Sequence, residues 1–230
     1  MSILEHNYNQ VIQRLQHACM DHQRNSDEVK LLAVSKTKPA SMVQTLYDLG
    51  QRSFGENYLQ DGEAKITELS HLADIEWHFI GPLQSNKTRS VAENFQWLET
   101  LDREKIARRL HDQRPEGMAP LNVLIQVNIS AEGQKSGIAA NQVMAFAEML
   151  MPLSNLQLRG LMCIPEATDD ETKLRSQFEQ MKTLFDELKA QYSEYKLIDT
   201  LSMGMSADMS LAIACGATEI RIGTDIFGAR

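Results

Sequence analysis

The strongest constraint on this chain is a repeated alternation. Short apolar runs suited to buried strands are separated by segments with apolar residues at helical spacing. The strand-like runs are Leu31–Lys36, Ser53–Asn57, Glu76–Gly81, Trp97–Asp102, Asn122–Ser130, Leu156–Ile164, Thr200–Met205 and Glu219–Phe227. Among the helical segments, the clearest places Phe178, Met181, Leu184, Phe185, Leu188 and Tyr192 on one face. Strands separated by helices pair in parallel through right-handed crossovers. Eight of them predict one closed (β/α)8 TIM barrel, a single domain over residues 1–230. A doubly wound open sheet is the alternative, because the count depends on the weak strand at Trp97.

An extra N-terminal helix is expected from Ile3, Leu4, Tyr8, Val11, Ile12, Leu15, Ala18 and Cys19, which share one face. Little sequence follows the eighth strand, so this helix is expected to cover the place of the last barrel helix. The balance of 23 basic against 31 acidic residues, a net charge of −8, argues against a nucleic-acid partner. No apolar stretch reaches membrane-spanning length, and the polar-interrupted N-terminus does not read as a signal peptide. Three scattered cysteines give no disulfide framework and suggest a reducing compartment, so a cytoplasmic location is expected. The six histidines show no ligand spacing along the chain, and no metal is expected. Ser130 to Gly137 reads as a polar loop with Lys135 solvated.

In such a barrel, function gathers where strands end. Lys36 closes the first strand on the rim of what reads as an apolar interior and is the candidate imine-forming amine. A strand-end lysine can equally extend its stem to solvent. Gly204, Met205 and Ser206 end the seventh strand, with Ser206 the expected N-cap of the next helix, and Gly223–Thr224 follow the eighth. Loops after these two strands recur as a phosphate site, although glycine and serine also serve ordinary turns. Strand alternation places Arg221 and Glu219 inside the barrel. Arg221 then either donates to a ligand ring nitrogen or pairs with Glu219 or Glu56. Asn57 can bond a ligand or cap the following helix, Met162 can line a ligand face, and His78 reads as a packed core group.

Several stretches carry a family resemblance: AVSKTKP at 33–39, FGENY at 54–58, WHFIGPLQSNK at 77–87, VNIS at 127–130, RGLMCIP at 159–165, LSMGMSADM at 201–209 and RIGTDIFG at 221–228. Together they make the chain resemble the pyridoxal phosphate homeostasis proteins. The resemblance implies a barrel like that of alanine racemase (fold type III), with pyridoxal 5'-phosphate (PLP) held as a Schiff base on Lys36. It implies phosphate contacts at Ser206, Gly223 and Thr224, Arg221 at the ring nitrogen and Asn57 nearby, with Met205 also expected among the cofactor-binding residues. It further implies a regulator of vitamin B6 pools without established turnover; a monomer that binds PLP and delivers it to PLP-dependent apo-enzymes is the expectation. A PLP-dependent racemase or decarboxylase, a cofactor-free Schiff-base aldolase and a plain interaction protein are the rival readings. Racemase-type relatives need a second domain, for which 230 residues leave no room.

Overall fold

A computed structural model of the chain describes residues 1–130, 136–166 and 168–229. The expectation for Lys135 lies outside the described residues. The chain opens with helix α1 (Ile3–Asp21), started by a capping box: Ser2 Oγ accepts from the Glu5 N–H, and Glu5 accepts from the Ser2 N–H. Its buried stripe is Tyr8, Val11, Leu15, Ala18 and Cys19, whereas Ile3 stays exposed beyond the edge of the packing.

Strands and helices then alternate in the order β1 (Lys30–Val34), α2 (Ala40–Asp48), β2 (Ser53–Glu56), α3 (Leu59–Glu68), β3 (Glu76–Phe79), α4 (Thr88–Asn94), β4 (Trp97–Leu101) and α5 (Glu104–Gln113). The second half runs β5 (Leu121–Val127), α6 (Val143–Leu150), β6 (Leu156–Cys163), α7 (Glu171–Gln191), β7 (Thr200–Ser202), α8 (Met209–Ala214), β8 (Glu219–Ile222) and α9 (Thr224–Phe227). The strands pair in sequence order, all parallel, and β8 returns to β1 with Leu32 opposite Arg221, closing the barrel. The open-sheet alternative is thereby set aside.

The main core lies between strands and helices. Phe54 on β2, Leu98 on β4, Ile220 on β8 and Phe178 on α7 are fully buried there, each such side chain contributing about 1.5–3 kcal/mol. No helix among the described residues is long and apolar enough to cross a membrane. The α1 helix packs beside α8, α9 and α2, covering the gap after β8. There Asn7 Nδ2 donates to the Ile226 carbonyl at 3.3 Å.

Several expected boundaries shift. The eighth strand stops at Ile222, because the chain turns at Gly223 into the short α9; Ile226 and Phe227 are buried as helix residues. The first strand ends at Val34, two residues before Lys36. Helix α8 begins at Met209 with Asp208 at its N-cap, so Ser206 is a loop residue and not a cap. The barrel interior is not apolar throughout either: beside Leu32, Trp97, Leu124 and Met162 it buries His78, Glu99, Ser202, Glu219 and Arg221.

Candidate functional site

The turn after β1 sets the orientation of Lys36. Lys38 N–H closes it onto the Ser35 carbonyl at 3.0 Å, and Thr37 sits at φ +63°. A β-branched residue rarely adopts this left-handed conformation, and its surroundings must hold it there. The support lies behind the turn, where Lys65 Nζ donates to the Ser35 carbonyl at 2.7 Å and to Glu56 Oε1 at 2.6 Å. Ser35 Oγ donates to the same carboxylate oxygen at 2.5 Å. Burial pushes the Glu56 carboxyl up against the opposing pull of Lys65.

Across the barrel mouth lies the segment after β7. Gly204 takes φ +97°, and an added Cβ would stand 2.5 Å from the Ala212 methyl, so only glycine suits this bend. Met205 N–H donates to Asp208 Oδ1 at 2.6 Å, which pulls the loop round and leaves Met205 41% exposed on the rim. After β8, α9 begins directly at Thr224, and its first turn leaves the N–H groups of Thr224 and Asp225 without intrahelical acceptors. Arg14 on α1 joins the two segments, donating to Asp225 Oδ2 at 2.5 Å and to the Ser206 carbonyl at 2.8 Å.

These elements enclose one cavity of about 400 Å³, within the range of small-molecule sites. Lys36, Asn57, Met205, Ser206, Arg221, Gly223 and Thr224 all line it, as does Met162. On the floor, Arg221 Nη1 donates to Ser202 Oγ at 2.6 Å and Nη2 to the Cys163 carbonyl at 2.8 Å. The expected alternative, an ion pair of Arg221 with Glu56 or Glu219, is not what its hydrogen bonds show, and Glu56 belongs to Lys65.

Asn57 precedes α3 without capping it. The Oδ1 atom of Asn57 is buried and has no hydrogen-bond partner among the described residues. Gly81 fixes its backbone, since an added Cβ there would meet the Asn57 carbonyl at 2.1 Å. Asn57 lines the cavity, and its buried Oδ1 is free to accept a hydrogen bond from a ligand group. A phosphate-bearing pyridine aldehyde fits this lining: Lys36 brings an amine, Arg221 a guanidinium, and Ser206 and Thr224 hydroxyls.

Below the floor, His78 is a core group as expected, stacked on Trp97 with ring centroids 4.8 Å apart. Its Nδ1 lies 2.7 Å from Glu99 Oε1, and the donor atoms of His78, Glu99 and Glu219 gather within 4.8 Å of one another. Nothing in linear spacing signals this grouping, because three different strands supply it. Arg14 and Lys65 are equally silent in the sequence, being single basic residues on helices.

The chain matches the family model for the alanine racemase N-terminal domain over residues 3–230. A pyridoxal phosphate homeostasis protein of Haemophilus influenzae is 54% identical over 228 residues, covering 99% of this chain and 96% of that one. The Escherichia coli K12 protein of the same name is 50% identical over 232 residues, covering 100% and 98%. Among solved structures, PipY of Synechococcus elongatus with PLP bound superposes with a TM-score of 0.80 at 36% identity, covering 93% of this chain and all of that one. An alanine racemase of Clostridium difficile, at 14% identity, a TM-score of 0.72 and coverage of 99% and 56%, shares the fold. The chain therefore belongs to the alanine racemase N-terminal-domain class of barrels. Within that class it is a member of the pyridoxal phosphate homeostasis protein family.

Proposed function

We propose that this protein binds PLP at the mouth of the barrel and holds it in reserve for the cell's vitamin B6 economy. The observation that carries the reading is the single cavity shared by Lys36, Arg221, Ser206 and Thr224, with the orphaned Asn57 amide beside them. The PLP-bound structure of the PipY relative supports the same ligand. When bound, the cofactor supplies an aldehyde that reacts with amines.

The chain's own residues divide the work. Lys36 would provide the covalent attachment, presented by the Thr37 turn that Lys65 and Ser35 brace. Ser206, Gly223 and Thr224 would hold the phosphate through hydroxyl and backbone N–H groups, with Met205 on the rim beside them. A guanidinium offers donors and no acceptor, so Arg221 would donate to the ring nitrogen and leave it unprotonated. Asn57 would donate or accept at a polar ring substituent. Among the described residues of the cavity, the ionisable side chains are Lys36, Lys38, Arg221 and Asp225, and Arg14 already pairs Asp225. Lys38 in turn donates to the Ala229 carbonyl at 2.8 Å, so both groups that could serve Lys36 as an acid or base partner are already engaged, which favours holding over turnover. Three buried free thiols suit the reducing cytoplasm, where we place the protein as a monomer that hands PLP to apo-enzymes.

The test is to add PLP to the purified protein and follow the visible absorption band, then to mix the loaded protein with a PLP-dependent apo-enzyme. The expected result is a band in the wild type that is missing in Lys36→Ala, with transfer faster than from free PLP. Absence of the band in the wild type would overturn the binding assignment. Multiple-turnover racemisation of a single amino acid would establish the enzymatic rival instead.

A further inference from the structure

Beneath the cavity floor, a hydrogen-bonded line runs inward from Arg221. Arg221 Nη1 donates to Ser202 Oγ at 2.6 Å, and Ser202 Oγ donates in turn to Glu99 Oε2 at 2.8 Å. Glu99 Oε1 meets His78 Nδ1 at 2.7 Å. His78 Nε2 lies 3.4 Å from Lys30 Nζ, which is paired with Glu76 at 2.6 Å. Beside this line stands Glu219, fully buried, and among the described residues no N–H or hydroxyl donates to either of its carboxylate oxygens. One of its carboxylate oxygens lies within 4.8 Å of a Glu99 oxygen and of a His78 ring nitrogen.

Two carboxylates this close in a dry interior cannot both be ionised, because each raises the cost of charging the other. We propose that Glu99 is a positioning residue for Arg221, acting through Ser202, and that Glu219 beside it stays a neutral acid whose proton it shares with Glu99. The charged and titratable groups facing this spot are Lys30 from β1, Glu76 and His78 from β3, Glu99 from β4, Arg159 from β6 and Arg221 from β8. The Arg221 charge, relayed through Ser202, favours ionisation of Glu99, Lys30 is spent on Glu76, and Glu219 keeps the proton. In keeping with this, burial and the neighbouring Glu99 push the Glu219 carboxyl up to about 7. The claim for the proton stands without any cofactor, whereas the claim for Arg221 rests on the PLP reading above.

The sign of the pH dependence follows from linkage. A carboxyl raised from 4.5 to about 7 contributes stability that is fully present below about pH 4.5 and is lost as pH rises through about 7. His78, pushed down to about 3 by burial, acts in the opposite sense: its contribution is lost as pH falls from about 6.5 toward 3. The wild-type profile therefore mixes the two, and a variant of Glu219 separates them. Glu219→Gln keeps the shape of the neutral acid and removes its titration.

Melting temperatures of unliganded Glu219→Gln and wild type should be compared between about pH 5 and about pH 8, alongside PLP titrations. The difference, variant minus wild type, is expected to grow by about 4 °C or more over that range. PLP affinity of Glu219→Gln stays within about twofold of wild type, while Glu99→Gln and Ser202→Ala each lose about tenfold and shift the visible band of the bound cofactor. Should Glu99→Gln fail to fold, Ser202→Ala carries that arm. A flat difference across pH would overturn the shared proton. Stoichiometric Zn²⁺ or Mn²⁺ bound by the wild type and lost in Glu219→Gln would overturn it equally, by making the group an ion site. Unchanged affinity and band in Ser202→Ala would overturn the role of Glu99. A wild type that binds no PLP would remove the functional reading, and the thermal arm would still decide the proton.

Discussion

Arg14 on the first helix donates at 2.8 Å to the backbone carbonyl of Ser206, 192 residues further along the chain. The same guanidinium holds Asp225. One side chain thus ties together the segments after β7 and β8, both of which line the cavity. The arrangement explains why α1 belongs to the barrel: it fills the place of a last barrel helix and also braces the site.

Arg14→Met is therefore expected to cost ligand affinity more than stability. The Arg14 side chain is 48% exposed, and an exposed pair of this kind contributes at most about 1 kcal/mol to folding. Loosening the two segments should weaken PLP binding by about threefold to tenfold. Parallel urea unfolding and PLP titration check this; a large stability loss with unchanged affinity would contradict it.

The Lys65–Glu56 pair behaves in the opposite way. Both partners are buried, and Lys65 also holds the carbonyl of the residue before Lys36. Lys65→Met strands the Glu56 charge and should destabilise the fold by about 3–5 kcal/mol in chemical denaturation. Adding Glu56→Gln to that variant should restore part of the loss, because the stranded charge is then gone.

Cys163 is fully buried at the end of β6, and burial pushes its thiol up to about 12. A thiol that does not ionise is a poor nucleophile. Cys19 and Cys215 are buried as well. An aromatic disulfide reagent is expected to leave the native protein unmodified and to titrate three thiols once the chain is unfolded. Rapid labelling of Cys163 in the native state would show that the floor of the cavity opens.

Much of the architecture is legible in the sequence, because alternation and helical spacing are local signals that burial enforces. The Phe178–Met181–Phe185–Leu188 stripe and the Tyr8–Val11–Leu15 stripe pack as their spacing requires. Strand ends are less legible. Ile226 and Phe227 prolong an apolar pattern past Gly223, yet α1 buries them as part of a helix, a tertiary effect that no window of sequence contains. The expectation of a cap at Ser206 failed because Asp208, two residues on, bonds the Met205 N–H and delays the helix. The motif residues come together at one cavity, while their supports, Arg14, Lys65 and Glu99, lie on elements far away in the chain and carry no motif of their own.

The central claim is that Lys36 carries the ligand whose other end lies at Ser206 and Thr224. Its most direct test is borohydride reduction of the PLP-loaded protein, followed by proteolysis and mass mapping of the reduced adduct. The account predicts one adduct per chain, on the peptide containing Lys36, and none in Lys36→Ala. An adduct on Lys38 or another lysine instead, or no trapped adduct at all, would contradict it.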